Sequence, residues 1–236
     1  MKMKTIIAGV SAVVVVAAML VTAVWASRRP VQTPCAWIKV EVTDSLQRRF
    51  VKSNELCMLL QREGLSPVGK RMDAVSCQAI EDCLLGHDMI RTAECYKSAN
   101  GGVCVRVTQR VPALFVRSND GNYYVDEDRK IMPVRATIEV DVPVFRGAVG
   151  KRAATEEYYD FAQWLVANRY WRTRIKHVHV HNTKHLVLAQ HEVKGDIILG
   201  ELEGYEKKMD RLQKLYTKGF DKIGYTDYRE YDLRFD

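Results

Sequence analysis

The stretch IRTAECYKSANGGVCVRVTQRVP, residues 90–112, decides the fold of the first half of the chain. Residues 90–97 are predicted as one strand, and valines alternate with other residues over 103–108, as expected for a second, half-buried strand. The turn residues Asn-Gly-Gly at 100–102 separate the two runs and predict a β-hairpin. The second strand ends near Pro112, because a proline disfavours the helical conformation at the residue before it. We therefore predict a hairpin that leads directly into a second domain.

The residues that precede the hairpin predict one strand and two helices. Residues 37–42 alternate as a strand does. Ser53 is placed to cap a helix that carries leucines on one face and ends before Gly64. A second helix is predicted over residues 76–85, because its apolar residues recur at helical spacing. The resulting order is strand, helix, helix, strand, strand.

After the hairpin, the pattern changes to short strands and two longer helices. Strands are predicted at residues 114–117, 123–126, 131–133, 175–181 and 185–190, and helices over about 153–168 and 205–218. Together with the first half, this predicts an α+β fold whose second domain is a mixed sheet flanked by two helices.

The last predicted strand, residues 228–235, alternates between apolar and charged side chains. We expect Tyr231, Leu233 and Phe235 to face the preceding helix. The charged side chains that then face outward are Glu230, Asp232 and Arg234. A terminal strand is easily left at a sheet edge, where its unpaired N–H and C=O groups can accept another strand. The alternative is an edge strand blunted by its own charges.

Residues 5–27 carry no charge and, as a helix, cover roughly 33 Å, enough to cross a bilayer core of about 30 Å. We predict an uncleaved transmembrane anchor, with residues 1–4 in the cytoplasm and the large domain outside it. The alternative is a cleaved signal peptide that ends near Val24-Trp25-Ala26. The apolar region of a signal peptide spans about 7 to 15 residues, and this stretch is longer.

The net charge of +7 does not indicate a nucleic-acid-binding protein. Four of these positive charges lie in the first 29 residues, which hold no acid, so the remainder carries only +3. Charges of both signs are interspersed, unlike the basic face that binds nucleic acid. The sequence contains no phosphate-binding loop, dinucleotide-binding glycine motif or nucleophile elbow. We therefore predict no enzymatic activity, no cofactor and no small-molecule substrate.

The six cysteines leave the disulfide state open. An even number in an exported chain suggests disulfides. Cys95 and Cys104 flank the hairpin turn, but their positions in alternating strands place them on opposite faces. Cys57, Cys77, Cys83 and Cys95 are also compatible with a role as small apolar side chains in the core.

Five of the six histidines fall between residues 177 and 191. On a strand, His177, His179 and His181 share one face, and paired histidines on a strand can bind zinc or copper. The alternative is a solvated strand face, with Val178 and Val180 directed to the core. The histidines therefore leave two alternatives open: a metal site, or a strand face that binds no metal.

The predicted order of the first half resembles a POTRA domain, and several motifs resemble the FtsQ/DivIB family of bacterial cell-division proteins. The similar segments are residues 90–97, 105–116, 123–126, 132–133 and 199–208. They include V-x-Q-R-x-P at 107–112, which ends the third strand in that family, and a Y-Y-V-D strand followed by M-P. Arg129 stands where that hairpin usually has a glycine. The chain is similar to FtsQ-like proteins of the Bacteroidetes type.

The resemblance implies a non-enzymatic, single-pass scaffold of the inner membrane at the division septum. Its expected parts are a cytoplasmic tail (1–4), an anchor (5–27), a linker (28–36), a POTRA domain (37–110) and a β domain (111–236). The β domain is expected to bind single-pass proteins similar to FtsB and FtsL, through Tyr228, Glu230, Tyr231, Asp232, Leu233, Arg234 and Phe235. Gln109, Arg110 and Pro112 are expected at the joint between the domains, where they contribute to recruitment.

Two other interpretations are open. One is an exported periplasmic protein with a cleaved signal peptide and a metal site at His177, His179 and His181. The other is an outer-membrane assembly or secretion factor with POTRA domains. Proteins of that class normally carry several POTRA repeats or barrel strands of about ten residues, and the sequence shows neither pattern.

Overall fold

The first half of the chain folds in the predicted order. Its elements are β1 (Trp37–Val42), α1 (Ser53–Arg62), α2 (Cys77–Leu85), β2 (Ile90–Lys97) and β3 (Gly102–Gln109). Strand β3 lies between β1 and β2 in a three-stranded sheet. Val103, Val105 and Val107 are at most 1% exposed, which confirms the predicted inner face of the hairpin.

The computed structural model describes residues 14–22, 33–43, 50–134, 140–191, 194–220 and 228–235. Contacts divide the chain into two units whose segments interleave. The first unit contains Met1–Glu41, Ser53–Leu84 and Ala93–Val107, and the second contains Val42–Lys52, Leu85–Thr92 and Thr108–Asp236. The start of β2 and the end of β3 therefore belong to the second unit.

Local sequence features account for the ends of the two helices in the first half. The Oγ of Ser76 accepts a hydrogen bond from the N–H of Ala79 at 3.2 Å, as expected of an N-cap. Past the end of α1, the carbonyl oxygen of Leu60 accepts a bond from the N–H of Leu65 at 2.8 Å, a pattern typical of a helix C-terminus. The buried residues of the two helices are Leu56, Leu60, Ile80 and Leu84, which confirms the predicted apolar faces.

The second half forms an eight-stranded sheet with helices. Its strands are β4 (Pro112–Ser118), β5 (Gly121–Asp126), β6 (Ile131–Pro133), β7 (Val144–Gly147), β8 (Ile175–Asn182), β9 (His185–Gln190), β10 (Asp196–Gly200) and β11 (Glu230–Asp232). The helices are α3 (Lys151–Thr155), α4 (Glu157–Ala167) and α5 (Tyr205–Leu215), which continues as a π-helix over Tyr216–Phe220. The strand order is β11-β10-β9-β8-β7-β4-β5-β6. Strand β7 runs parallel to β4 and β8, and β11 runs parallel to β10, whereas the other neighbours are antiparallel, so the sheet is mixed as predicted.

Three features of this half differ from the prediction. The sequence does not predict β7 or β10, because each is short and shows too little alternation to stand out. The helix predicted over 153–168 is interrupted at Glu156, whose backbone (φ −110°, ψ −101°) is not helical, so two helices form. The last strand covers only Glu230–Asp232 instead of the predicted 228–235.

Buried aromatic residues form the centre of the core that the sheet and the helices share. Phe145 on β7 and Tyr158 and Phe161 on α4 are at most 1% exposed. The Phe145 ring lies 5.6 Å from that of Tyr158 and 6.3 Å from that of Phe161. Trp171 and Tyr216 are also fully buried. This core fixes β7 in the interior of the sheet.

Near the N-terminus, residues 14–22 are helical and their side chains are exposed. Among the residues that the structure describes, no helix is both long enough and apolar enough to cross a membrane. The remainder of the predicted anchor, residues 5–13 and 23–27, lies outside the described residues, as does the predicted cytoplasmic tail.

Candidate functional site

Strand β11 (Glu230–Asp232) lies at one edge of the eight-stranded sheet. Backbone hydrogen bonds join β10 to the residue just before β11 and to the residue just after it. The N–H of Asp196 donates to the carbonyl oxygen of Arg229 at 3.0 Å, and the N–H of Leu233 donates to that of Ile198 at 2.9 Å. The predicted terminal strand is therefore present at a sheet edge, over fewer residues than expected.

Within the part of the chain that the structure describes, the register of β11 leaves its outer side open. In a parallel pair, alternate residues direct both their N–H and C=O groups to the neighbouring strand. Arg229 and Leu233 bond to β10, so the intervening Glu230 and Asp232 direct their peptide groups to the opposite side. Beyond them, the N–H of Arg234 donates to the Oδ1 of Asp232 at 3.0 Å. The open edge is therefore short and closed at its C-terminal end by its own side chain.

The inner face of this strand follows the predicted pattern only in part. Tyr231 is 7% exposed, and its ring lies 5.3 Å from that of Tyr216, so it faces the helical layer as predicted. Leu233 packs, partly buried, against the same core. Phe235 is 73% exposed, so the prediction that it faces the helix is wrong. The regular strand ends before Phe235, and the alternation of side chains no longer applies there.

The outward side chains are exposed, as predicted: Glu230, Asp232 and Arg234 all lie on the surface. Arg234 donates to Asp232 at 2.6 Å, and this hydrogen bonding holds the pKa of the Asp232 carboxyl below its ordinary value. The pair is therefore charged at neutral pH. Tyr228 and Phe235 flank it with rings that are 52% and 73% exposed. We name the surface of these five residues the β11 edge.

The predicted joint residues contact the interior of the second unit. Gln109 is 1% exposed, and its Oε1 accepts a bond from the N–H of Val51 at 2.9 Å. Arg110 donates from Nη1 to the Oδ2 of Asp126 at 2.7 Å, and Asp126 is itself 1% exposed. Pro112 is buried at the start of β4. These contacts give the three residues structural roles, while their part in recruitment stays a prediction.

Asp126 has a structural role that the sequence does not predict. Its Oδ1 accepts bonds from the N–H of Asp128 at 2.9 Å and from the N–H of Lys130 at 2.7 Å. The same carboxylate thus binds Arg110 and fixes the turn between β5 and β6. Its only signal in the sequence is its place at the end of the Y-Y-V-D strand.

Arg129, in the same turn, has a backbone φ of 61°, a conformation that glycine adopts most easily. Its guanidinium pairs with Asp160 at 2.5 Å and lies 4.5 Å from the centre of the Tyr159 ring. Its Nη1 also donates to the carbonyl oxygen of Thr155 at 3.2 Å. These contacts hold the turn against α3 and α4, and they account for an arginine in a strained backbone conformation.

The histidines of β8 do not form a metal site in the part of the chain that is described, where no group of three or more His, Cys, Asp or Glu side chains is placed to hold an ion. Val178 and Val180 are at most 1% exposed, so the histidines occupy the other face of the strand. Burial, followed by the charge of Arg146, lowers the pKa of His177. Burial, followed by the neighbouring His181, lowers the pKa of His179. These two side chains are therefore neutral at pH 7.

Comparison with known protein families assigns both halves of the chain. Residues 33–108 match the model of the POTRA-like domain. Residues 111–236, more than half of the chain, match the family model described as FtsQ/DivIB, C-terminal related. No curated protein matches the chain. The chain therefore belongs to the FtsQ/DivIB family, with a POTRA-like domain in front of the family's C-terminal region.

Proposed function

We propose that the chain is a non-enzymatic scaffold of the bacterial division machinery, which captures other division proteins at its β11 edge. Members of the FtsQ/DivIB family are division proteins without enzymatic activity, and this supports the scaffold role. The observation that carries the proposal is the open outer side of β11, where Glu230 and Asp232 direct their peptide groups away from the sheet.

The chemistry of the β11 edge suits an extended partner segment. A partner strand beside β11 pairs its backbone with the outward N–H and C=O groups of Glu230 and Asp232. The exposed rings of Tyr228 and Phe235 supply apolar contacts at its two ends. The Glu230 and Asp232 carboxylates and the Arg234 guanidinium occupy different positions along the edge, so the edge favours a segment whose charges are complementary at those positions. We assign this segment to single-pass proteins similar to FtsB and FtsL.

Reversing two charges of the edge together (E230R/R234E) should reduce capture of such partners about tenfold. The reversal replaces favourable contacts by repulsive ones, and a tenfold change corresponds to about 1.4 kcal/mol of binding free energy. The net charge of the chain is unchanged, and exposed substitutions rarely cost more than about 0.5 kcal/mol of stability. Capture from solubilised membranes, with the partners quantified by mass spectrometry, measures the effect.

The matched control reverses an exposed pair elsewhere in the same unit, Arg152 and Glu156, whose charged atoms are 3.1 Å apart. This variant, R152E/E156R, also keeps the net charge and should capture partners at the wild-type level. Circular dichroism verifies that both variants are folded. If folded E230R/R234E still captures FtsB- and FtsL-like proteins as the wild type does, the β11 edge is not the binding surface.

We also propose that the chain crosses the inner membrane once, through residues 5–27, with residues 1–4 in the cytoplasm. The linker (28–36), the POTRA domain (37–110) and the β domain (111–236) then lie in the periplasm at the septum. The length of the N-terminal stretch that carries no charge supports this topology.

Because such an anchor is not cleaved, we expect protein purified from membranes to retain its complete N-terminus. The mass of the intact mature protein checks this expectation. A mature chain that starts near Ser27 would show that residues 5–27 are a signal peptide instead.

A further inference from the structure

Cys77 and Cys95 lie against each other within the first unit. Cys77 is the first residue of α2, and Cys95 lies in β2. One helical turn after Cys77, on the same face of α2, the Oε1 of Glu81 accepts a hydrogen bond from the N–H of Cys95 at 2.6 Å. This bond holds β2 against α2 at the level of the two cysteines. The two thiols are near enough to influence each other, because Cys77 is among the groups that raise the pKa of Cys95.

We propose that Cys77 and Cys95 form a disulfide bond, which joins α2 covalently to β2. Both thiols are free in the structure. A disulfide has an S–S distance of about 2.05 Å. The bond between Glu81 and Cys95 holds β2 close to the face of α2 that carries Cys77, so a change of side-chain rotamer brings the two thiols together. The bond goes beyond the scaffold function, although a periplasmic location would supply the oxidising conditions that it needs.

Three of the other four cysteines of this unit are placed differently. Cys104 lies in β3 between the buried Val103 and Val105, so its side chain points to the other face of the sheet. Cys35 is buried, and its Sγ donates to the carbonyl oxygen of Trp37 at 3.2 Å. Cys83 follows Cys77 on α2 by less than two turns and therefore points to a different side of the helix.

The order of the chemical steps follows from the surroundings of the two thiols. Burial, followed by the influence of the neighbouring Cys77 thiol, raises the pKa of Cys95 to about 12, so Cys95 stays protonated at neutral pH and is a poor nucleophile. Cys77 therefore reacts first, with a disulfide-containing oxidant such as oxidised glutathione. The Cys77 sulfur attacks the oxidant's disulfide, forms a mixed disulfide and releases one thiol.

In the second step, the sulfur of Cys95 attacks the Cys77 sulfur of the mixed disulfide. The S–S bond to the oxidant breaks, and the proton of Cys95 goes to the departing thiolate. Two protein thiols are thereby oxidised to one disulfide, and the disulfide of the oxidant is reduced to two thiols. No other reactant is needed.

The test treats the purified full chain with oxidised glutathione, alkylates the remaining thiols and digests the protein with trypsin. Trypsin releases Cys77 and Cys83 together in residues 72–91, and Cys95 in residues 92–97. We expect these two peptides to be joined by a disulfide and the other four of the six cysteines to be alkylated. Six alkylated cysteines after oxidation would overturn the proposal without the need for any variant. Because the oxidant is added to purified protein, the result does not depend on the membrane topology or on partner capture.

Two variants then identify the partner of Cys95. Cys83→Ser should leave the joined peptides in place, whereas Cys77→Ser should abolish them. In the oxidised wild type, a reductant should lower the melting temperature of the first unit by roughly 10 °C, because opening the loop between residues 77 and 95 restores entropy to the unfolded chain. The reductant should leave the melting temperature of Cys77→Ser unchanged. A link that survives Cys77→Ser and disappears in Cys83→Ser would overturn the assigned pairing.

Discussion

Arg110→Ala is expected to lower the free energy of unfolding of the second unit by about 3 kcal/mol or more. The Arg110 side chain is 12% exposed and that of Asp126 is 1% exposed, and their charged atoms are 2.7 Å apart. Without the guanidinium, the Asp126 carboxylate keeps its two amide donors but loses the positive charge that faces it. A buried charge without its partner costs far more than the loss of an exposed ion pair. Urea denaturation measures the change.

Arg91→Ala is the matched control for this prediction. Arg91 pairs with Asp128 at 2.7 Å, but both side chains are 38% exposed, so the loss of this pair should cost much less than the loss of the buried one. Adding Asp126→Asn to Arg110→Ala should restore part of the lost stability, because the asparagine oxygen still accepts both amide bonds and no charge is buried. If Arg110→Ala costs no more than Arg91→Ala, the buried pair does not stabilise this unit in the way that its geometry indicates.

Gly147→Ala should destabilise the second unit by about 3 kcal/mol. The φ of Gly147 is 95°, which costs an L-residue roughly 1–2 kcal/mol. A Cβ at this position would also collide with the carbonyl oxygen of Val180 on the neighbouring strand β8. That oxygen is held in place, because it accepts a bond from the N–H of Ala148 at 2.8 Å. The crowding adds about 1–3 kcal/mol to the backbone strain.

Gly150→Ala provides the comparison for this substitution. Gly150 precedes α3 with a φ of −73°, and a Cβ built on it meets open space. We therefore expect the alanine to change stability by no more than about 0.5 kcal/mol. The two variants are compared by their urea midpoints at an unchanged m-value. Equal midpoints would show that the β7–β8 pairing accommodates a side chain at residue 147.

In the terminal strand, the alternation of side chains predicts burial at some residues and not at others. The period of two correctly predicts that Tyr231 is buried and that Glu230 and Asp232 face outward. The pattern continues to Phe235, but the pairing with β10 does not, and the Phe235 ring is exposed. A side-chain period therefore predicts a direction only where a partner strand holds the backbone extended.

The pairing of Arg110 could not be predicted in the same way. The turn contains three acidic residues in succession, Asp126 to Asp128, and nothing in their order distinguishes the one that is buried. The register that places Pro112 opposite Asp126 brings this carboxylate next to Arg110. That register arises from the antiparallel pairing of β4 with β5, so the ion pair is a consequence of the sheet.

The sequence by itself determined the elements whose causes are local. The hairpin of residues 90–112, the N-cap of α2 and the C-terminal end of α1 depend on alternation, turn residues and hydrogen bonds between near neighbours. Only the tertiary structure decided the position of β7 between β4 and β8, the burial of Asp126 and the open side of β11. These features require segments far apart in the chain to meet in one register, and a short run of residues holds too little information to specify its distant partner.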